Sequence, residues 1–176
     1  MRSVQVSVHI NAPIEQVFEA ISDHEQFLKS ADGTRTKLLQ EGNAERNGVG
    51  CVREVRVGKR AWYVEEITAW NKPAFIEYTI RRASMPISHE GSRLKFTEVS
   101  GGTHVQWSSR FSIPVPILGG LLGAAAERLY SKAFTALLET AKVQLERSSA
   151  AAGTISSFRG IDSTRRPSSG GRRDLK

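Results

Sequence analysis

Between about Thr34 and Ile113, apolar and polar residues alternate, and this period of two constrains the fold more than any other feature of the chain. Six alternating runs lie in this region, at about residues 35–41, 49–57, 60–70, 75–82, 91–99 and 103–113. Neighbouring runs are separated by residues typical of turns: Gly58-Lys59, Asn71-Lys72-Pro73 and Gly101-Gly102. The pattern predicts strands joined as hairpins in one antiparallel sheet.

Helical patterns flank the alternating region. After a first strand at about 3–11, Asn11 and Pro13 begin a short helix, and Asp23 with Gln26 is typical of the capping box of a second. From about 118 to 147, apolar residues follow the helical period on a stripe made of Leu122, Leu129, Ala133, Ala136 and Leu137, widened by Phe134, Leu138, Ala141 and Leu145. We therefore expect an α+β fold in which one long helix covers the concave side of the sheet.

The positive charge is concentrated near the C-terminus. The 176 residues carry a formal net charge of +7, and from Arg147 onward seven basic residues stand against two acidic ones. The remaining body has too little excess charge for a surface that binds phosphates. Residues 148–176 are rich in Ser, Gly, Ala and Arg, so we predict a disordered basic tail after a single domain at 1–147. Weak contact of this tail with nucleic acid or an anionic membrane is one hypothesis.

Cysteine content and hydropathy favour a cytoplasmic protein. The single Cys51 cannot form an intramolecular disulfide and lies in an apolar run. The alternating N-terminus lacks the apolar run of a signal peptide. The longest apolar segment, at about 111–126, is interrupted by Pro114 and Pro116 and is shorter than the roughly 20 residues of a membrane span.

Several short motifs, in order along residues 3–146, resemble the START-like (SRPBCC) superfamily and its polyketide cyclase/dehydrase and lipid-transport branch. They are Asn11-Ala12-Pro13-Ile14-Glu15-Gln16-Val17-Phe18 with Ser22-Asp23, Gly48-Val49-Gly50 with Arg53, Glu66-Ile67-Thr68, Pro73 to Tyr78, Met85-Pro86, and Gly101-Gly102-Thr103 through Trp107 to Phe111. The resemblance implies a helix-grip fold, with a sheet of about seven strands wrapped around a long C-terminal helix. It also implies a mostly apolar cavity between the sheet and that helix.

A two-residue turn at Gly58-Lys59 would fix which residues of this hairpin face the cavity. In that register Arg53 opposes Val64, and Arg53, Trp62 and Glu66 share the inward face. Arg53 and Glu66 are then diagonal neighbours. They are either a polar anchor for a carboxyl, hydroxyl or carbonyl group of a ligand, or an ion pair that only joins two strands.

Large side chains on the other elements would complete the ligand-binding wall. Tyr78 and Trp107 fall on the inward parity of their strands and have both an apolar body and a polar edge. The predicted ligand-binding residues are Arg53, Trp62, Glu66, Tyr78, Trp107, Phe111, Leu122, Leu129 and Ala133. The alternative interpretation of the aromatic and aliphatic members is core packing alone.

The sequence offers no recognisable catalytic or cofactor motif. His9, His24, His89 and His104 are dispersed, no pair has the spacing of metal ligands, and His9 and His104 fall on outward parity. Asp23-His24-Glu25 is interpreted as helix-capping chemistry. No glycine-rich phosphate loop precedes a helix, so neither a metal nor a nucleotide cofactor is predicted.

Three functions follow from these observations. The first is binding or transport of a small hydrophobic molecule, such as a lipid, polyketide or aromatic metabolite, in an internal cavity. The second is an enzyme of the aromatase/cyclase type, in which Arg53, Glu66 or Tyr78 assists proton transfer. The third is a ribosome- or membrane-associated factor tethered by the basic tail.

Overall fold

The computed structural model describes residues 1–31, 33–116 and 119–159, and only the backbone of 150–159. Its elements are β1 (Arg2–Ile10), α1 (Ile14–Ser22), α2 (His24–Lys29), β2 (Thr34–Gln40), β3 (Val52–Val57), β4 (Ala61–Asn71), β5 (Phe75–Ala83), β6 (Ser88–Val99), β7 (Gly102–Ser112) and α3 (Gly119–Arg159). The seven strands form one antiparallel sheet in the order β1-β7-β6-β5-β4-β3-β2. The predicted α+β fold, with two short helices after the first strand and a long C-terminal helix, is confirmed.

Strands β2 to β7 are connected as consecutive hairpins. The N-terminal strand β1 pairs with the last strand, β7, and forms one edge of the sheet. It pairs with β7 from Arg2 opposite Phe111 to Ile10 opposite Thr103. The next residues turn away from the sheet, where the Thr103 hydroxyl donates a hydrogen bond to the Ala12 carbonyl at 2.8 Å. This contact fixes the point at which the chain leaves β1 for α1.

The two short helices form as their sequence predicts. The Asp23 side chain caps α2 by accepting a hydrogen bond from the Gln26 backbone N–H at 3.3 Å. Helix α1 buries Phe18, whose ring centroid lies 5.2 Å from those of both Trp70 and Phe96. These edge-to-face contacts anchor α1 on the concave face of the sheet.

The predicted register between β3 and β4 was wrong by one residue. Val57 pairs with Ala61, so the connection has three residues, and Arg53 faces Glu65 directly. Because side chains alternate along a strand, one extra loop residue moves every side chain of β4 to the other face of the sheet. Trp62 and Glu66 therefore lie on the convex face, where Glu66 forms an ion pair with Arg81.

The predicted apolar stripe of α3 also required correction. Leu122 and Leu129 are 43% and 65% exposed, and Ala133 is exposed as well. Leu137 of the predicted stripe is buried, and so are Leu138 and Ala141, which were predicted to widen it. Phe134, also predicted to widen the stripe, stacks on Trp107 with ring centroids 3.8 Å apart, and Tyr130 meets Phe111 at 5.1 Å, so the side of α3 toward the sheet is rotated away from Leu122 and Leu129.

Helix α3 continues beyond the predicted domain boundary. It runs without interruption to Arg159, so the first twelve residues of the predicted tail, 148–159, prolong the helix. Residues 160–176 of the predicted disordered tail lie outside the described residues. Within the described part of the chain, no helix is long and apolar enough to cross a membrane.

Candidate functional site

Three charged or titratable side chains meet inside the fold, and we call them the interior cluster: His24 of α2, Arg53 of β3 and Glu65 of β4. Their exposed fractions are 3%, 3% and 2%. Oε1 of Glu65 lies 3.1 Å from His24 Nδ1 and 3.2 Å from Arg53 Nε. The carboxylate is thus shared by two cationic or potentially cationic groups in a region removed from water.

The cluster follows from the register and from the helix cap. Arg53 and Glu65 are directly opposed in the ladder, on the same face as Val55 and Ile67, which are fully buried. His24 is the first residue of α2, immediately after the capping Asp23. The turn between α1 and α2 therefore places the imidazole against β3 and β4.

Glu65 is ionised at neutral pH. Burial alone would raise the pKa of its carboxyl, but the hydrogen bond from His24 and the positive charge of Arg53 outweigh burial and hold the pKa below its ordinary value. An ionised carboxylate can only accept hydrogen bonds. The proton in the contact with His24 therefore resides on Nδ1 of the imidazole.

His24 is neutral in this setting. Burial lowers its pKa, and the nearby Arg53 charge lowers it further, against the opposing effect of Glu65. A neutral imidazole with its proton on Nδ1 presents a lone pair on Nε2. Nε2 is buried and has no hydrogen-bond partner among the described residues.

Arg53 is also left with unused hydrogen-bonding capacity. Its Nη2 donates to the Cys51 sulfur at 3.4 Å, and a thiol is a weak acceptor. Burial raises the pKa of Cys51, so the thiol is protonated at neutral pH. Although Arg53 Nε is close to Glu65, no described residue satisfies it with hydrogen-bond geometry.

Aromatic side chains surround the interior cluster. The Tyr78 ring meets the His24 ring edge-on, with centroids 6.0 Å apart. The Tyr78 hydroxyl accepts a hydrogen bond from Trp107 Nε1 at 3.1 Å, and burial raises its pKa well above the ordinary value, so it stays protonated. Tyr78, Trp107 and Phe111 are all buried, as their parity predicts.

The predicted ligand-binding residues fall into two groups in the structure. Of the predicted ligand-binding residues, Arg53, Tyr78, Trp107 and Phe111 are buried inside the fold. The structure places the other five away from them: Trp62 and Glu66 on the convex face, and Leu122, Leu129 and Ala133 on the exposed side of α3. Glu65 takes the position predicted for Glu66.

The sequence analysis did not assign His24 to the interior because its sequence neighbours are polar. Asp23-His24-Glu25 looks like a polar helix start, and Asp23 does act as the cap. The signal that could have found His24 is helical spacing, because Phe27 and Leu28, three and four residues later, are both buried. A histidine at that spacing belongs to the inward face of the helix.

A second histidine, His89 of β6, forms a separate polar site beside the first. Its Nδ1 accepts a hydrogen bond from the Ile80 backbone N–H at 3.0 Å. Its Nε2 lies 3.1 Å from the Ser92 hydroxyl and 3.2 Å from the Ser109 hydroxyl. Burial lowers the pKa of His89, so the ring is neutral, with its proton on Nε2.

A groove of about 690 Å³ lies between α1, α2 and α3. Its lining residues are Glu15, Gln16, Glu19, Ala20, Asp23, Gln26, Phe27, Ser30, Ala141, Gln144, Leu145 and Ser148. Phe27 lines the groove and also contacts the interior, because its ring centroid is 6.3 Å from that of His24 and 5.9 Å from that of Trp107. Phe27 therefore contacts both this groove and the surroundings of the interior cluster.

The described residues contain no group of three or more histidine, cysteine, aspartate or glutamate side chains arranged to hold a metal ion. The interior cluster itself offers three kinds of group. These are a buried carboxylate, a guanidinium and an imidazole with a vacant acceptor nitrogen.

Solved structures with the same architecture come from distant sequences. The protein TTHA0849 from Thermus thermophilus has a TM-score of 0.68 at 18% identity, over 84% of this chain and 99% of that one. A START superfamily protein from Mycobacterium smegmatis gives 0.67 at 16% identity, over 81% and 98%. Ara h 8.0201 gives 0.58 at 14% identity, over 80% and 97%. These likenesses establish the fold.

The sequence itself carries the family assignment. No curated protein matches the chain. The family described as "Polyketide cyclase / dehydrase and lipid transport" matches residues 1–146, which span β1 to most of α3. This match over most of the chain shows that the protein belongs to the polyketide cyclase/dehydrase and lipid-transport family.

Proposed function

We propose that this protein binds a small, largely apolar molecule on the concave face of its sheet and holds one polar group of that molecule at the interior cluster. The observation that carries the proposal is the pair of unused positions in a site removed from water. Among the described residues, His24 Nε2 has no hydrogen-bond partner, and Arg53 Nε has none of hydrogen-bond geometry although Glu65 Oε1 lies 3.2 Å away. A hydroxyl group of a ligand can donate to His24 Nε2, and a hydroxyl or carbonyl oxygen can accept from the Arg53 guanidinium.

Energetics favour a binding role over a structural one. A buried ion pair contributes little net stability, because desolvation of the two charges offsets their attraction. A buried polar atom left without a partner costs about 1–3 kcal/mol. A purely structural cluster would be expected to satisfy all of its polar atoms, whereas His24 Nε2 and Arg53 Nε have no hydrogen-bond partner among the described residues.

The surroundings favour a flat or elongated apolar ligand. The rings of Tyr78, Trp107 and Phe27 flank the interior cluster and offer apolar faces. Pockets for small molecules combine such walls with a few placed polar groups. The groove beside Phe27 is the proposed route inward, and its use requires the Phe27 side chain to move.

The test is a titration of the full chain with 2-tetralone, a flat bicyclic ketone, followed by tryptophan fluorescence and native mass spectrometry. We expect one molecule per chain. The double variant Arg53→Met with Glu65→Gln should remain folded and bind at least tenfold more weakly, a loss of about 1.4 kcal/mol.

The matched control is Glu66→Gln, because this neighbouring glutamate lies on the convex face. It should bind 2-tetralone as the unmodified chain does. If the double variant and the unmodified chain have equal affinities, the interior cluster does not hold the ligand and the proposal fails.

A further inference from the structure

We propose that two copies of this chain associate through the outer side of α3, with the two helices antiparallel and crossing at Ala136. The inference goes beyond ligand binding, because it concerns the side of α3 that faces away from the sheet and from the interior cluster. It assigns a partner, a second copy of the chain, to a surface that the fold of one copy leaves uncovered.

The outer side of α3 carries a continuous row of apolar side chains, which we call the outer patch. Its members, all exposed, are Leu121, Leu122, Ala125, Leu129, Ala133, Ala136 and Val143. Leu121 and Leu129 are 73% and 65% exposed, which is high for leucines of a folded helix. The patch extends for about 33 Å along the helix axis at 1.5 Å per residue. Contiguous apolar surface of this extent marks a contact site.

The spacing within the outer patch is that of a helix packed on another helix. Leu122, Leu129, Ala136 and Val143 follow one another at intervals of seven residues. This interval keeps apolar side chains on one seam between two helices. The contact of α3 with its own sheet uses a different side of the helix, where Leu137 and Leu138 are buried. The seam is therefore available to a second helix.

Two opposite charges within the outer patch define the orientation of the partner. Lys132 and Glu139 are exposed, and neither forms an ion pair with another residue of the described ranges. A two-fold axis at Ala136 brings Lys132 of each copy next to Glu139 of the other, so the dimer gains two equivalent ion pairs. Parallel helices in register would place like charges together instead.

The same axis also matches side-chain sizes. Leu129 of one copy lies opposite the partner's Val143, and this contact occurs twice. At the axis Ala136 meets the partner's Ala136, and such small side chains let two helices approach to about 8–10 Å. Covering the patch on both copies removes on the order of 1,000 Å² of surface from water, near the lower limit for a specific interface. The expected dimer is therefore a weak one.

The charges of the outer patch favour a second copy over a membrane. A surface that binds an anionic membrane needs an excess of lysine and arginine, whereas Lys132 and Glu139 cancel each other. An unrelated protein would require no particular symmetry. The order of charges on α3 is complementary to itself under a two-fold rotation, as contacts between identical subunits require.

The test is sedimentation equilibrium of the full chain over a range of concentrations. We expect a monomer–dimer equilibrium with a dissociation constant on the order of 10 μM. Lys132→Glu and Glu139→Lys should each weaken the dimer at least tenfold, because each creates two contacts between like charges. An equimolar mixture of these two variants should associate again, since every contact then joins opposite charges. Lys95→Glu makes the same change on an exposed lysine of β6 and should have no effect.

A further variant, Leu129→Glu, tests the apolar contact. It should also dissociate the dimer while leaving the circular dichroism spectrum unchanged, because the side chain is exposed in the single chain. A monomer at every concentration up to about 1 mM would overturn the proposal. So would a dimer that none of the α3 variants weakens. A mixture of the two charge variants that stays monomeric would refute the antiparallel arrangement.

Discussion

His24 and His89 are two neutral histidines inside one fold, and their ring nitrogens are used in opposite ways. The Nδ1 atom of His24 donates to a carboxylate, whereas that of His89 accepts from a backbone N–H. Within the described ranges, His24 Nε2 therefore has no hydrogen-bond partner, while both ring nitrogens of His89 are engaged. The partner of the first nitrogen, rather than burial, decides which histidine is available for chemistry.

The largest expected effect on stability comes from removing the Glu65 charge, which orients His24. Glu65→Gln leaves the Arg53 charge buried without a counter-ion and should lower the free energy of unfolding by about 3–5 kcal/mol. Arg53→Met should cost less, because His24 can then take up a proton and become the partner of Glu65. Urea denaturation of both variants measures the difference.

Two further variants serve as controls for this prediction. The double variant Arg53→Met with Glu65→Gln should recover much of the loss, since it leaves no isolated charge. Glu66→Gln, which affects an ion pair at the surface, should cost at most about 1 kcal/mol. Equal losses from Glu65→Gln and Glu66→Gln would contradict the burial of the first.

An intermediate effect is expected from pH. Both histidines have a pKa below 6.5 in the folded chain because burial disfavours their charged forms. The unfolded chain therefore binds more protons as pH falls from 7 to 5, and stability falls in the same direction by at most about 1.4 kcal/mol per pH unit for each histidine. The charged groups around His24 are Arg53, Glu65 and Asp23, and Glu65 also acts on His89.

Urea denaturation across this pH range tests the prediction. His24→Asn and His89→Asn should each flatten the dependence of stability on pH, because each removes one group that the unfolded chain protonates. A slope unchanged in both variants would show that neither histidine is held neutral.

The smallest effect concerns the hydroxyls around His89. Ser92→Ala or Ser109→Ala alone should cost less than about 1 kcal/mol, because the Nε2 proton can donate to the remaining hydroxyl. The double variant leaves a buried donor without a partner and should cost about 1–3 kcal/mol. Denaturant midpoints of the three variants provide the measurement. If the losses of the two single variants add up to the loss of the double variant, the two hydroxyls do not share the His89 Nε2 proton.

The sequence predicted the positions of the helices and strands well. It predicted less well which residues of each element face the interior. Alternation located every strand of the sheet, because a half-buried strand must repeat with a period of two. It could not determine whether the loop after Val57 has two residues or three, since Gly58 suits both and its φ is +62° in the folded chain. That single residue decided between Glu65 and Glu66.

The same limit applies to α3. Leu122 and Leu129 are as apolar as Phe134, and helical periodicity alone does not tell which stripe faces the sheet. The choice depends on shape, because Phe134 stacks on Trp107 while the leucines do not reach it. This fit of side-chain shapes depends on how α3 and the sheet pack together, so the sequence of the helix alone does not predict it.

The adjacent glutamates of β4 have a consequence for how the chain folds. A hairpin that closed one residue early would bring Glu66 to the inner face, together with Trp62 and Val64, which are apolar enough to be buried there. Arg53 would still lie near a carboxylate, so the pairing of β3 with β4 does not by itself exclude this misaligned register. In the native register Glu65 also meets His24 of α2, so packing of α2 on the sheet adds to the preference for that register.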